Sequence, residues 1–268
     1  MPHHPNSNDP IGVFDSGLGG LTVVKELFMS LPEENIIYFG DTARVPYGTK
    51  SRETIIRYSR EIVSVLLKHK VKMIVVACNT ASSLALDVLQ KECPVPIIGV
   101  IDPGAKKAAL STKSKKVGII ATQSTVKSGK YAKRLKDFEP KVHVISQPCP
   151  LFVPLVEEGW FDHDITFRVA KEYLADFKKE GIDTLILGCT HYPLLRKTIA
   201  RVMGSKVTLI DSAREVAMEV KEILGAQKML RHDRKSPEHM YLVSDEPEIF
   251  KFRAVRFLGT SVKNVKRV

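Results

Sequence analysis

The chain has 268 residues, a net charge of +11, and 44% apolar against 26% charged residues. That balance excludes bulk disorder and fibrous classes, and the length suits two domains of about 100–150 residues. No run approaches the roughly 20 apolar residues of a membrane-spanning helix, and the opening MPHHPNSNDP lacks the apolar stretch of a signal peptide, so a cytoplasmic protein is expected. The four cysteines, Cys78, Cys93, Cys149 and Cys189, are too sparse for a disulfide framework, and none has the spacing of a zinc site. Between Pro103 and Lys141 eleven Lys and Arg face two acids, Asp137 and Glu139, so this stretch carries +9 of the charge. Only Tyr131 and Phe138 interleave with it, which favours a solvated basic surface over a nucleic-acid site.

Residues 11–14 read as a short buried strand, ended by Asp15 and the turn through Gly20. Residues 21–31 have helical periodicity, stopped by Pro32, and residues 36–39 form a second strand, ended by Gly40 and Asp41. Residues 51–69 predict a long amphipathic helix, with Ile55, Ile56, Ile62, Val65, Leu66 and Leu67 mostly on one side. A third strand, 72–77, runs into Cys78, Asn79 and Thr80. A helix over 81–91 and a fourth strand over 95–101 follow, the latter ending at Asp102.

The order then restarts. Residues 117–122 read against 11–16, 142–145 against 36–39, and the helix 165–180 against 51–69. Residues 183–188 run into Cys189, Thr190 and His191 as 73–77 run into Cys78, Asn79 and Thr80, and 207–212 read against 98–103. Asp15 precedes Cys78 by 63 residues, and its counterpart Ala121 precedes Cys189 by 68. Cys78 precedes Asp102 by 24, and Cys189 precedes Asp211 by 22. These agreements argue for an internal duplication. The expected fold is α/β: two pseudo-symmetric domains, each a parallel sheet in three α/β/α layers, with the active site in the cleft between them. The first domain is expected to comprise residues 9–104 plus 214–268, with 105–213 inserted as the second.

Parallel open sheets place ligands at the carboxyl ends of their strands, where Asp15, Cys78, Asp102, Cys189 and Asp211 are all predicted to lie. A thiolate is a good base, and it forms more readily at a helix start. Two thiols on opposite walls of one cleft suit racemisation: one removes a proton from a stereocentre, and the other returns one to the opposite face.

The segments GVFDSGLGGLTV, FGDTARVPYG, ACNTAS, PLVEEG and LGCTHYPLL, in this order and spacing, resemble the bacterial glutamate racemases of the aspartate/glutamate racemase family. The resemblance runs from about residue 11 through 213 and more loosely to 259. It implies interconversion of L- and D-glutamate without cofactor or metal, a homodimer, and supply of D-glutamate for peptidoglycan. It puts the catalytic thiols at Cys78 and Cys189, the first deprotonating D-glutamate and the second L-glutamate. Asp15 and His191 match the polar residues attending them, and Glu157 matches a further acid, with Glu158 as its rival. Substrate contacts fall on Asp15, Ser16, Pro46, Tyr47, Gly48, Asn79, Thr80, Thr190 and His191.

Taken singly, Asp15 also fits a turn or helix cap, His191 a hydrogen-bonded loop histidine, and Tyr47 a rigid turn after Pro46. Trp160 is expected near the cleft mouth, and Cys93 and Cys149 are read as structural. Aspartate racemisation is the near alternative activity, and an amidase or transferase using one thiol with His191 as base is a more distant one. A nucleic-acid-binding protein using the basic stretch is the non-enzymatic alternative.

Overall fold

In the computed structural model, which describes residues 4–233 and 235–268, the strands form two sheets, parallel throughout. The chain begins β1 (Ile11–Asp15), α1 (Leu21–Ser30), β2 (Ile36–Gly40), α2 (Arg52–Lys68), β3 (Met73–Val76), α3 (Asn79–Leu84), α4 (Leu86–Glu92), β4 (Ile97–Gly99) and α5 (Ile101–Ser111). It continues β5 (Lys116–Ala121), α6 (Gln123–Lys127), α7 (Lys130–Phe138), β6 (His143–Pro148), α8 (Phe152–Glu157), α9 (Asp164–Glu180), β7 (Thr184–Gly188), α10 (Arg196–Met203) and β8 (Thr208–Asp211). Last come α11 (Ser212–Ala226), β9 (His239–Val243), α12 (Pro247–Leu258) and β10 (Val265–Arg267).

The sheets have the orders β10-β9-β2-β1-β3-β4 and β6-β5-β7-β8. The four-strand pattern β2-β1-β3-β4 is therefore repeated as β6-β5-β7-β8, the same order in both copies. The tail strands β9 and β10 extend the first sheet beyond β2.

Alternation within the strands divides the apolar interior. In β3, Met73 and Val75 face a core shared with α1, α9, α11 and α12, while Ile74 and Val76 face a second core under α2, α3 and α4. A third core lies between the second sheet, α5 and α7. Helix α11 packs on α1, which covers the first sheet, and on α5, whose inner face joins the core of the second sheet. Local signals set the helix limits. The Ser51 hydroxyl accepts from Thr54 N at the start of α2, and Gly181, at φ +67°, ends α9 in the left-handed conformation.

Several expectations are corrected. The fourth strand covers only Ile97–Gly99, because helix α5 begins at Ile101. Asp102 thus lies in the first turn of α5 and not at a strand end, and its carboxylate pairs with Arg134 at 2.7 Å. The helix expected over 81–91 starts earlier, at Asn79, and breaks at Ala85 into α3 and α4. After Cys189 the chain makes a turn and a short 3₁₀ helix, Tyr192–Leu195, before α10 begins. Two acids outside the basic stretch neutralise part of it, Asp87 pairing with Lys130 and Asp102 with Arg134, while Arg134–Asp137 and Lys115–Glu139 are pairs within it. Among the described residues no helix is long and apolar enough to cross a membrane.

Candidate active site

The residues just past the ends of β1, β3, β5 and β7, namely Ser16, Cys78, Thr122 and Cys189, line one cavity of about 380 Å³. Strand ends of both sheets thus converge on one space, as duplicated parallel sheets require.

On the first wall Cys78 caps α3, and Asn79 and Thr80 form the opening turn of that helix. The Thr80 hydroxyl lies 2.9 Å from that of Thr122 and 3.3 Å from that of Thr125, a polar link between the two copies. Pro46, Tyr47 and Gly48 supply a further side of the cavity. The Tyr47 hydroxyl donates to the Asp41 carboxylate, which also accepts from Arg44 Nε at 2.9 Å and from the Ser244 hydroxyl at 2.8 Å. Ser124 fixes the same segment from the second copy by donating to the Gly48 carbonyl at 2.8 Å.

On the second wall Cys189 Sγ lies 3.9 Å from His191 Nδ1, and His191 Nε2 lies 3.2 Å from Glu157 Oε1. Phe257 of α12 packs edge-on to the His191 ring at 5.6 Å, and Arg256 donates to the Glu157 carbonyl at 3.1 Å. Asp15 sits behind the lining, wholly buried, accepting from Gly17 N at 3.1 Å and from the Thr190 hydroxyl at 3.4 Å.

The electrostatics of the two walls differ. Burial, reinforced by the nearby Asp15 carboxylate, pushes the Cys78 thiol up to about 12. Burial opposes charge on His191, but hydrogen bonds to Cys189 and Glu157 and the charge of Asp15 outweigh it and push the imidazole up to about 10. Burial raises Glu157, and its contact with His191 more than reverses this, leaving the carboxyl below its ordinary value. Burial also raises Asp15, with His191 partly opposing. The second wall therefore holds a cationic imidazole beside a sulfur, and the first holds a protonated thiol.

This arrangement predicts an alkaline loss of stability. His191 holds its proton more tightly in the fold than at its ordinary value of 6.5, so its contribution is complete below pH 6.5 and disappears as pH rises toward about 10. Cys78 adds a loss between pH 9 and about 12. In scanning calorimetry, Tm should fall from pH 7 to 10, and less steeply in His191→Asn. Parallel curves for the two proteins would contradict the assignment.

Of the residues singled out from sequence, Ser16, Pro46, Tyr47, Gly48, Cys78, Asn79, Thr80, Glu157, Cys189, Thr190 and His191 all line the cavity, with Asp15 immediately behind. Glu158 is exposed and outside the lining, so of the two adjacent acids it is Glu157 that meets His191. Trp160 also lies outside the lining and stacks on His163. Sequence reasoning missed Val45, Thr49, Thr122, Gln123, Pro150, Val153 and Pro154, which also line the cavity. Thr122 had a signal, since the duplication makes it the counterpart of Ser16. Phe257 had none short of the fold.

Residues 11–220 match the family model described as Asp/Glu/Hydantoin racemase. The chain is 52% identical over 258 residues to a glutamate racemase of Geobacter metallireducens, covering 96% of each. It superposes on the crystal structure of glutamate racemase from Francisella tularensis in complex with D-glutamate at 42% identity and a TM-score of 0.92, covering 98% of each chain. For the glutamate racemase isoform RacE1 of Bacillus anthracis the values are 40% and 0.95, again with 98% of each chain covered.

Proposed function

The chain belongs to the Asp/Glu/hydantoin racemase family, with glutamate racemases among its near relatives, and from that premise we propose that it interconverts L- and D-glutamate by proton transfer between Cys78 and Cys189. The observation that carries this reading is the pair of buried cysteines, brought to one cavity by equivalent strand ends of a repeated sheet.

One thiolate takes the α-hydrogen as a proton, and the electron pair left on the α-carbon spreads into the α-carboxylate. The other thiol gives its proton to the opposite face of that carbon. Configuration is inverted, and the thiol and thiolate have exchanged places, to be reset by proton exchange before the next turnover. Cys78 is the protonated partner, and Cys189 has the His191 cation beside it. On this reading Cys189 takes the hydrogen of L-glutamate and Cys78 that of D-glutamate. Hydrogen bonds to Cys189 and Glu157 hold His191 charged, the Asp15 carboxylate adds to this from behind, and Glu157 orients the ring through Nε2.

No Lys or Arg among the described residues lines the cavity. Hydroxyls of Ser16, Thr49, Thr80, Thr122 and Thr190, the amides of Asn79 and Gln123 and the His191 cation are among the donors left for two carboxylates. Once the site closes, such fixed donors hold developing charge without reorganising. We read residues 9–104 plus 214–268 as one lobe and 105–213 as the inserted other, with closure between them excluding water. The same reading makes the protein a cofactor-independent cytoplasmic homodimer that supplies D-glutamate for peptidoglycan.

The test is activity without additions. Dialysed, chelator-treated protein should interconvert L- and D-glutamate. Activity that returns only with pyridoxal phosphate or a metal ion would sink the reading.

A further inference from the structure

Tyr131 lies outside the cavity, on the inner face of α7, and is almost fully buried. Its hydroxyl donates to Asn79 Oδ1 at 2.7 Å and lies 2.9 Å from the hydroxyl of Ser212, the first residue of α11. Burial pushes this phenol far above its ordinary value, so it stays protonated and donates. The ring rests on Gly188, the residue before Cys189, where an added Cβ would come 3.2 Å from Tyr131 Cε2. Gly104 of α5 leaves the room for Ser212, since a Cβ there would lie 2.5 Å from the serine Oγ. One side chain thus touches the residue that follows the first thiol and the residue that precedes the second. Glycines are used where the fit around this network is tightest.

We infer that Tyr131 is a positioning residue for the racemisation, holding the Asn79 amide so that its NH₂ group, and not its carbonyl, is presented to the substrate α-carboxylate. The inference rests on the glutamate reading above and adds the following geometry. Asn79 lines the cavity, and its Oδ1 is already taken by Tyr131. Asn79 and Thr190 directly follow the two thiols, so they flank the carbon that reacts between them. The carboxylate bonded to that carbon is the one within their reach. As the α-hydrogen leaves, that carboxylate gains negative charge, and an amide donor strengthens its bond at that moment. A flipped amide would offer a carbonyl to the same oxygen and repel it. An interaction that grows toward the transition state registers in kcat more than in KM.

The test is steady-state racemisation of L- and D-glutamate by three variants. Tyr131→Phe keeps the ring on Gly188 and removes only the hydroxyl. It should lower kcat about tenfold, with KM moving less than about threefold. Asn79→Ala should lose more, and the double variant should match Asn79→Ala, because the hydroxyl acts through that amide alone. Unchanged kcat in Tyr131→Phe, or a double variant that multiplies the two single losses, overturns the inference. If Tyr131→Phe does not fold, Ser212→Ala carries the test, since it frees the phenol to turn from Asn79. That variant should show the same split at about threefold, and unaltered kinetics there would overturn the inference. Absence of racemisation by the unaltered chain removes the glutamate reading and this inference with it, an outcome distinct from a failure confined to the variants.

Discussion

Serine in place of either Cys78 or Cys189 is expected to abolish most racemisation. Each turnover needs a base on one face of the α-carbon and an acid on the other, and a hydroxyl is far weaker in both roles than a thiol. General acid–base catalysis is typically worth about 10²–10⁴-fold, and the loss in kcat/KM should be at least of that order. The two enantiomers are equally stable, so the equilibrium constant is unity and kcat/KM must fall by the same factor in both directions. Racemisation rates therefore cannot reveal which thiol serves which enantiomer. Elimination can, because a glutamate analogue with a β-leaving group needs only the first proton abstraction. Cys78→Ser should still eliminate from the L-analogue through Cys189, and Cys189→Ser from the D-analogue through Cys78. Loss of the same enantiomer in both variants, or intact racemisation in either, would refute the two-base assignment.

Gly19→Ala is expected to cost about 10²-fold or more in kcat/KM without touching a proton-transferring group. Gly19 lies in the turn between β1 and α1, and a Cβ there would stand 2.2 Å from Thr190 Oγ1 and 2.5 Å from His191 Nδ1. No side chain of any size fits, so Thr190 and His191 must move, and with them the contacts to Asp15, Cys189 and Glu157. Overpacking of this kind also costs about 1–3 kcal/mol in stability, which urea denaturation would measure. Gly225→Ala in α11 is the matched control, since its Cβ would meet only Leu230, at an ordinary 3.8 Å. Wild-type activity in Gly19→Ala would mean that the placement of His191 does not matter to the reaction.

Much of this site was legible because its parts lie on short, strongly apolar strands with conspicuous ends. Strands β1, β3, β5 and β7 are almost wholly buried and stop at polar residues, so both their type and their carboxyl ends could be read from the chain. The repeat then placed Cys78 opposite Cys189, and by the same logic Thr122 opposite Ser16. What escaped depends on helix starts and distant packing. The apolar run 95–101 looks like one strand, yet the chain turns into α5 at Ile101, which put Asp102 in the wrong setting. Helix α7 hides among lysines, and only its buried face shows why Tyr131 belongs to the site's support. Phe257 reaches His191 from a tail helix whose own sequence gives no hint of that contact.

The most direct test is the fate of the α-hydrogen when L-glutamate is racemised in deuterated water with no added cofactor. Early in the reaction, mass spectrometry of the separated enantiomers should find deuterium at the α-carbon of nearly every D-glutamate formed, while the remaining L-glutamate stays unlabelled. That pattern follows because the base that removes the hydrogen and the acid that delivers its replacement are different thiols on different walls. Early D-glutamate that keeps the original hydrogen, or L-glutamate that gains deuterium as fast as product forms, would mean that one group serves both faces, and the account would be wrong at its centre.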